Sequence, residues 1–135
     1  MNEKAVMKNS LGAKKVLIVE DNAINMLLAK TLVKKIIPDS LIVEATDGDE
    51  AVAQYKKEQP DIILMDIQMP NKNGFEATYE IRKIEQGSLT PIIALTAGIF
   101  VEEKEECLKS GMNDYITKPI SVDDLESIMI KWLTD

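Results

Sequence analysis

Hydrophobic positions along this chain alternate between two textures. Short, nearly unbroken apolar runs occupy residues 15–19, 41–45, 62–65, 91–95 and 114–117. Runs of that length, rich in β-branched residues and bounded by turn chemistry, predict buried strands. Longer stretches between them repeat apolar residues at helical spacing. They predict helices over about 23–37, from the Asp47-Gly48 turn to about 58, over 74–85, over 101–110, and from 122 towards the end. The first helix is given an inward stripe of Ile24, Leu27, Leu28, Leu32 and Ile36. The second turns Ala51, Val52 and Tyr55 inward, and the third Phe75, Thr78, Ile81 and Ile84. The fourth is thin, with Val101, Cys107 and Leu108 set against Glu102, Glu103, Glu105 and Glu106. The last buries Val122, Leu125, Ile128, Met129 and Trp132. Asn22 is placed to cap the first helix, and Ser121 with Asp124 resembles a capping box before the last. Pro38 stops the first helix and Gly111 the fourth.

Five strands alternating with five helices through short loops predict an α/β fold. The expected arrangement is a doubly wound five-stranded parallel sheet of flavodoxin-like order 2-1-3-4-5. In such a sheet all strand ends of one kind share one rim, where ligands bind. Four of the five strands here end in a polar or charged residue: Glu20-Asp21, Asp66, Thr96 and Lys118. Three carboxylates, a hydroxyl and an ammonium therefore converge beside the switch point between strands 1 and 3.

Composition narrows what that rim can do. The 135 residues suit one domain, with 1–13 expected as an N-terminal tail or linker and 14–135 as the folded unit. A net charge of −7 argues against direct nucleic-acid contact. The chain has no histidine, which excludes a histidine base, a histidine metal ligand and a Ser-His triad within it. Cys107 is the single cysteine, so an internal disulfide is excluded and a reducing, cytoplasmic setting is expected. No apolar run is long enough to span a membrane, and residues 1–10 carry no signal-peptide h-region, so no membrane contact is expected.

Clustered carboxylates raise one another's pKa unless a cation intervenes. An all-oxygen site suits a hard cation, and Mg²⁺ is the expected cofactor. Thr96 and Lys118 have no part in a plain carboxylate–Mg²⁺ site, but they fit an arriving phosphoryl group, whose charge needs metal, ammonium and hydroxyl together. Asp66 could then act as nucleophile and form an aspartyl phosphate. Each residue also has a plainer reading. Asp66 alone could form a turn, Glu20 and Asp21 could serve the helix dipole, Lys118 could be a solvated lysine, and Cys107 a core residue.

Taken together, VEDN at 19–22, LMDIQMP at 64–70, ALTA at 94–97 and DYITKP at 114–119 resemble the receiver domain of two-component response regulators. The likeness covers residues 15–133. Glu20, Asn22 and Asn25 make it most similar to receivers fused to hybrid sensor histidine kinases. The resemblance implies that Asp66 is the phosphoacceptor of a phosphorelay, and that Asp21, Asp66 and the backbone carbonyl of Gln68 ligate Mg²⁺, with Glu20 acting mostly through water. It implies that Lys118 pairs with Asp66, that Thr96 moves onto the phosphoryl group with Tyr115 following, and that the Lys118–Pro119 peptide is cis. The implied donor is a phosphohistidine on a sensor histidine kinase or a His-containing phosphotransfer protein. Phosphorylation would switch the face formed by helix 4, strand 5 and helix 5, which is also the candidate homodimer surface. The domain is expected to be a signalling module rather than an enzyme. Rival readings fit less well. A haloacid-dehalogenase-type phosphatase wants an Asp where Gln68 stands, and a flavodoxin-like carrier wants a phosphate-cradling loop where Glu20-Asp21-Asn22-Ala23 would repel one. A pseudo-receiver that is never phosphorylated would not need the full acidic set and Lys118.

Overall fold

A computed structural model describes residues 11–84, 89–98 and 101–134. Five strands, β1 (Lys15–Val19), β2 (Leu41–Ala45), β3 (Ile62–Asp66), β4 (Ile92–Thr96) and β5 (Asp114–Thr117), alternate with five helices. The helices are α1 (Ala23–Ile36), α2 (Gly48–Glu58), α3 (Gly74–Ile84), α4 (Val101–Ser110) and α5 (Val122–Leu133). All strand pairs are parallel and the order is β2-β1-β3-β4-β5, the expected arrangement.

The central strands are apolar on both faces because helices cover both. Val16, Ile18, Ile62, Leu64, Ile93 and Leu95 point to the side carrying α1 and α5. Leu17, Val19, Ile63, Met65, Ile92 and Ala94 point to the side carrying α2, α3 and α4. Every residue of β3 and β4 is buried, including Asp66 and Thr96 at their ends. Burying one such aliphatic side chain contributes about 1.5–3 kcal/mol, so the two layers hold the sheet rigid beneath its rim.

The helix boundaries follow from capping. Asn22 Oδ1 accepts from the Asn25 amide at 2.9 Å, and Ser121 Oγ from the Asp124 amide at 3.1 Å, as expected. Asp47 Oδ1 accepts from the Glu50 amide at 2.8 Å, so Asp47 caps α2 and Gly48 is its first residue rather than part of a turn. Gly111, at φ 104°, takes the left-handed conformation that ends α4.

Three helix faces differ from expectation. On α3, Ile84 is exposed at the last turn although its spacing places it inward, because the sheet layer below reaches only as far as Ile81. In α1 the buried stripe is Met26, Ala29, Val33 and Ile36. Ile24, Leu27 and Leu28 are exposed at 78%, 64% and 39%, although the periodicity placed them inward. This helix is apolar nearly all round, so two stripes fit the pattern, and the layer shared with α5 selects one. In α4, Cys107 is buried as expected but Leu108 is 71% exposed, which thins that helix's anchorage further. Leu11, assigned to the tail, packs into the α1–α5 layer at 3% exposure. The rest of the expected tail, residues 1–10, and the expected loop at 86–88 lie outside the described residues.

Candidate functional site

A cleft of about 240 Å³ opens at the carboxyl rim, lined by Glu20, Asp21, Asn22, Asn25, Asp66, Gln68, Ala97 and Lys118. Three chain crossings build it. β1 ends at Val19 and delivers Glu20 and Asp21, β3 delivers Asp66, and β5 leads through Thr117 to Lys118. Because β1, β3, β4 and β5 are successive neighbours in one parallel sheet, these ends lie within one rim. The Lys118–Pro119 peptide is cis, as expected.

Glu20, Asp21 and Asp66 each offer a carboxylate oxygen, and the three lie within 4.8 Å of one another. Glu20 and Asp66 are buried at 2% and 4% exposure, whereas Asp21 is exposed. The Lys118 ammonium lies 2.8 Å from Glu20 and 3.4 Å from Asp66. Lys118 thus pairs with Asp66 as expected, and Glu20 is its nearer partner. The second Glu20 oxygen accepts from the Asn22 amide at 3.2 Å. Asp66 accepts from the Gln68 amide at 3.1 Å, which turns the chain sharply after β3.

These contacts leave Asp66 short of compensation. Burial raises its pKa from 3.8 to about 6; the Gln68 amide pulls it down, Glu20 pushes it up, and Lys118 only partly offsets that. Burial disfavours the Lys118 ammonium, but the Glu20 hydrogen bond and the charges of Asp66 and Glu20 outweigh it and hold the amine above the ordinary lysine range. Two buried carboxylates therefore share the Lys118 ammonium with an exposed third carboxylate beside them, and the excess negative charge faces the opening. Such an all-oxygen set fits a hard divalent cation, which would relieve the repulsion.

The structure gathers Glu20, Asp21, Asp66, Gln68 and Lys118 into the cleft. Thr96 and Tyr115 stand outside it. The Thr96 hydroxyl donates to the Gly98 carbonyl at 3.0 Å, and it would have to turn to reach Asp66. Tyr115 is half-buried, with the Lys104 ammonium 5.5 Å from its ring centre. Asn22, Asn25 and Ala97 also line the cleft. Asn22 is expected as the cap of α1, Asn25 belongs to the same sequence pattern, and Ala97 closes the ALTA motif at 94–97, but no sequence signal assigns these three to the cleft.

Comparison with known proteins agrees with this geometry. The family model of the response regulator receiver domain matches residues 16–130. The sensor protein GacS of Pseudomonas syringae pv. syringae is 44% identical over 124 residues, covering 89% of this chain. The match takes up 13% of that relative, so the chain spans a small part of its length. The receiver domain of sensor histidine kinase PA1611 from Pseudomonas aeruginosa, solved with a magnesium ion in its active-site cleft, superposes with a TM-score of 0.81 at 36% identity. That alignment covers 90% of this chain and 98% of the other. The receiver domain of Saccharomyces cerevisiae Ssk1, solved in complex with the histidine phosphotransfer protein Ypd1, gives a TM-score of 0.81 at 33% identity, covering 90% of each chain.

Proposed function

The chain belongs to the response regulator receiver family, and from that premise we propose that it is a phosphorelay receiver whose Asp66 accepts a phosphoryl group from a partner's phosphohistidine. The observation that carries the proposal is the meeting of three carboxylates within 4.8 Å, with the Lys118 ammonium 3.4 Å from the buried Asp66. An Asp66 oxygen attacks phosphorus, the phosphorus–nitrogen bond to the donor imidazole breaks, and the imidazole leaves with a proton. Asp21, Asp66 and the Gln68 carbonyl would hold Mg²⁺, with Glu20 beside them. The ion would supply charge neutralisation for the phosphoryl oxygens. Lys118 moves its attraction from Glu20 towards the new phosphoryl oxygens. The Thr96 hydroxyl leaves the Gly98 carbonyl to donate to the same group, and Tyr115 follows inward. The domain assists only its own phosphorylation and acts on no separate substrate.

The donor's approach has a matching surface. Ile24 and Leu27 are largely exposed in the first turns of α1, within two residues of the cleft residue Asn25. Exposed apolar groups on the helix that begins at the cleft mark a protein contact, and the partner it fits is the protein that carries the phosphohistidine. Among the described residues no helix is long and apolar enough to cross a membrane. A cytoplasmic setting, no direct nucleic-acid contact and self-association through α4, β5 and α5 complete the proposal.

Incubation with acetyl phosphate and Mg²⁺, followed by intact mass measurement, tests the chemistry. Wild-type protein gains one phosphoryl group and Asp66→Asn gains none. Equal incorporation in both would refute the assignment. Leu27→Glu is expected to slow transfer from a phosphohistidine donor while leaving acetyl phosphate labelling intact.

A further inference from the structure

The loop from Ile67 to Asn73 carries Gln68, whose carbonyl is a metal ligand under the proposed function. Its ends are secured locally. The Gly74 amide donates to the Ile67 carbonyl at 3.3 Å, and Asn73 and Glu76 cap each other reciprocally at 3.0 and 3.1 Å. Gly74 also permits a close crossing, since a Cβ there would lie 2.5 Å from the Asp66 carbonyl oxygen.

The far side of the loop is held by α2, which gives no side chain to the cleft. The Gly48 amide donates to the Lys72 carbonyl at 3.1 Å. A Cβ on Gly48 would lie 2.3 Å from that oxygen and 2.7 Å from the Lys72 Cβ, so only glycine allows the approach. The Lys72 ammonium reaches Asp49 in the first turn of α2 at 3.0 Å, and it also pairs with Glu80 on α3. One lysine thus ties two helices across the loop, and its own peptide is fastened to a third point. Mg²⁺ demands near-ideal octahedral geometry and tolerates little ligand displacement.

We propose that Lys72, seated on Gly48 and bridging Asp49 to Glu80, is a positioning residue that holds the Gln68 carbonyl in register with the acidic cleft. The proposal rests on the metal-binding part of the proposed function. A lysine that merely glued helices together would affect stability alone. A positioning lysine also sets Mg²⁺ affinity in protein that is fully folded.

Titration with MgCl₂, followed by the amide resonances of Asp21 and Gln68 well below the melting temperature, distinguishes the two. Lys72→Met is expected to raise the Mg²⁺ Kd about two- to fivefold, the range of exposed ion pairs, and Lys72→Arg to restore it. Gly48→Ala, which forces the loop away, is expected to raise Kd about tenfold or more. Trp132→Phe, which lowers stability at the opposite end of the sheet, leaves Kd unchanged. Wild-type affinity in Lys72→Met overturns the proposal, and Lys72→Met decides the matter whether or not Gly48→Ala folds. Absence of any Mg²⁺ response in the wild type instead overturns the metal site itself, and the positioning role with it.

Discussion

Two aspartates at opposite ends of the same sheet meet opposite fates. Asp66 closes β3 at the carboxyl rim, and Asp114 opens β5 at the other. Burial raises the pKa of both. Around Asp114 the raising effect is overcome. The Trp132 indole donates at 3.0 Å, the Tyr115 amide at 2.9 Å and the Lys131 ammonium at 3.2 Å, so its carboxyl lies below the ordinary range. Around Asp66 the backbone supplies one donor, a second buried carboxylate stands beside it, and the shared ammonium leans towards that neighbour. Its carboxyl stays at about 6. A structural carboxylate is surrounded by donors until its charge is satisfied, whereas this rim leaves charge over for a ligand.

The contrast can be broken in four ways. The largest expected effect is on chemistry: Asp66→Asn abolishes phosphorylation by acetyl phosphate, and Asp114→Asn leaves it intact, as read by intact mass. Next is the pH dependence of stability without metal. The folded value of Asp66 lies above its ordinary 3.8, so the folded state binds the proton more tightly. Stability contributed there is full in acid and is lost as pH rises through about 6, by about 2 kcal/mol after allowance for solvent screening. Urea unfolding in EDTA from pH 4 to 7 should show this fall in the wild type and a flat profile in Asp66→Asn. A fall that persists in the variant assigns it to another group. Third, Trp132→Phe removes the indole donor and should cost about 1 kcal/mol in the same assay.

The smallest effect is at Asp114, where the sign is reversed. Its folded pKa is lowered, so its stabilisation is present above 3.8 and is lost as pH falls through the lower folded value. Asp114→Asn should lose less than about 1 kcal/mol at neutral pH, because Asp114 is only half-buried and its Lys131 partner is exposed, so solvent screens the charge. That difference from the wild type should vanish in acid. A variant penalty that persists or grows there would mean that packing, not charge, ties Asp114 to α5.

Element order and boundaries were legible because the apolar runs and helices are bounded by residues that break them, such as Pro38, the Asp47-Gly48 pair and Gly111. The site was legible for a related reason. A parallel sheet sends every strand end of one kind to one rim, so Glu20, Asp21, Asp66 and Lys118 had to meet once the strands were placed. The faces of α1 and α4 were not legible. Ile24, Leu27 and Leu28 satisfy helical spacing as well as Met26, Ala29 and Val33 do, and periodicity carries no information about which stripe the neighbouring layer will cover. Lys72 gave no signal at all, because its partners Asp49 and Glu80 belong to different helices.

By itself the sequence determined the topology, the rim and the chemical types gathered there, since these follow from local patterns and strand direction. Tertiary packing decided that Lys118 sits nearer Glu20 than Asp66, that α1 shows Ile24 and Leu27 to solvent, and that Gly48 presses against the loop of Gln68. Those outcomes turn on distances of an ångström or less between segments far apart along the chain, and only close packing of the whole domain sets distances on that scale.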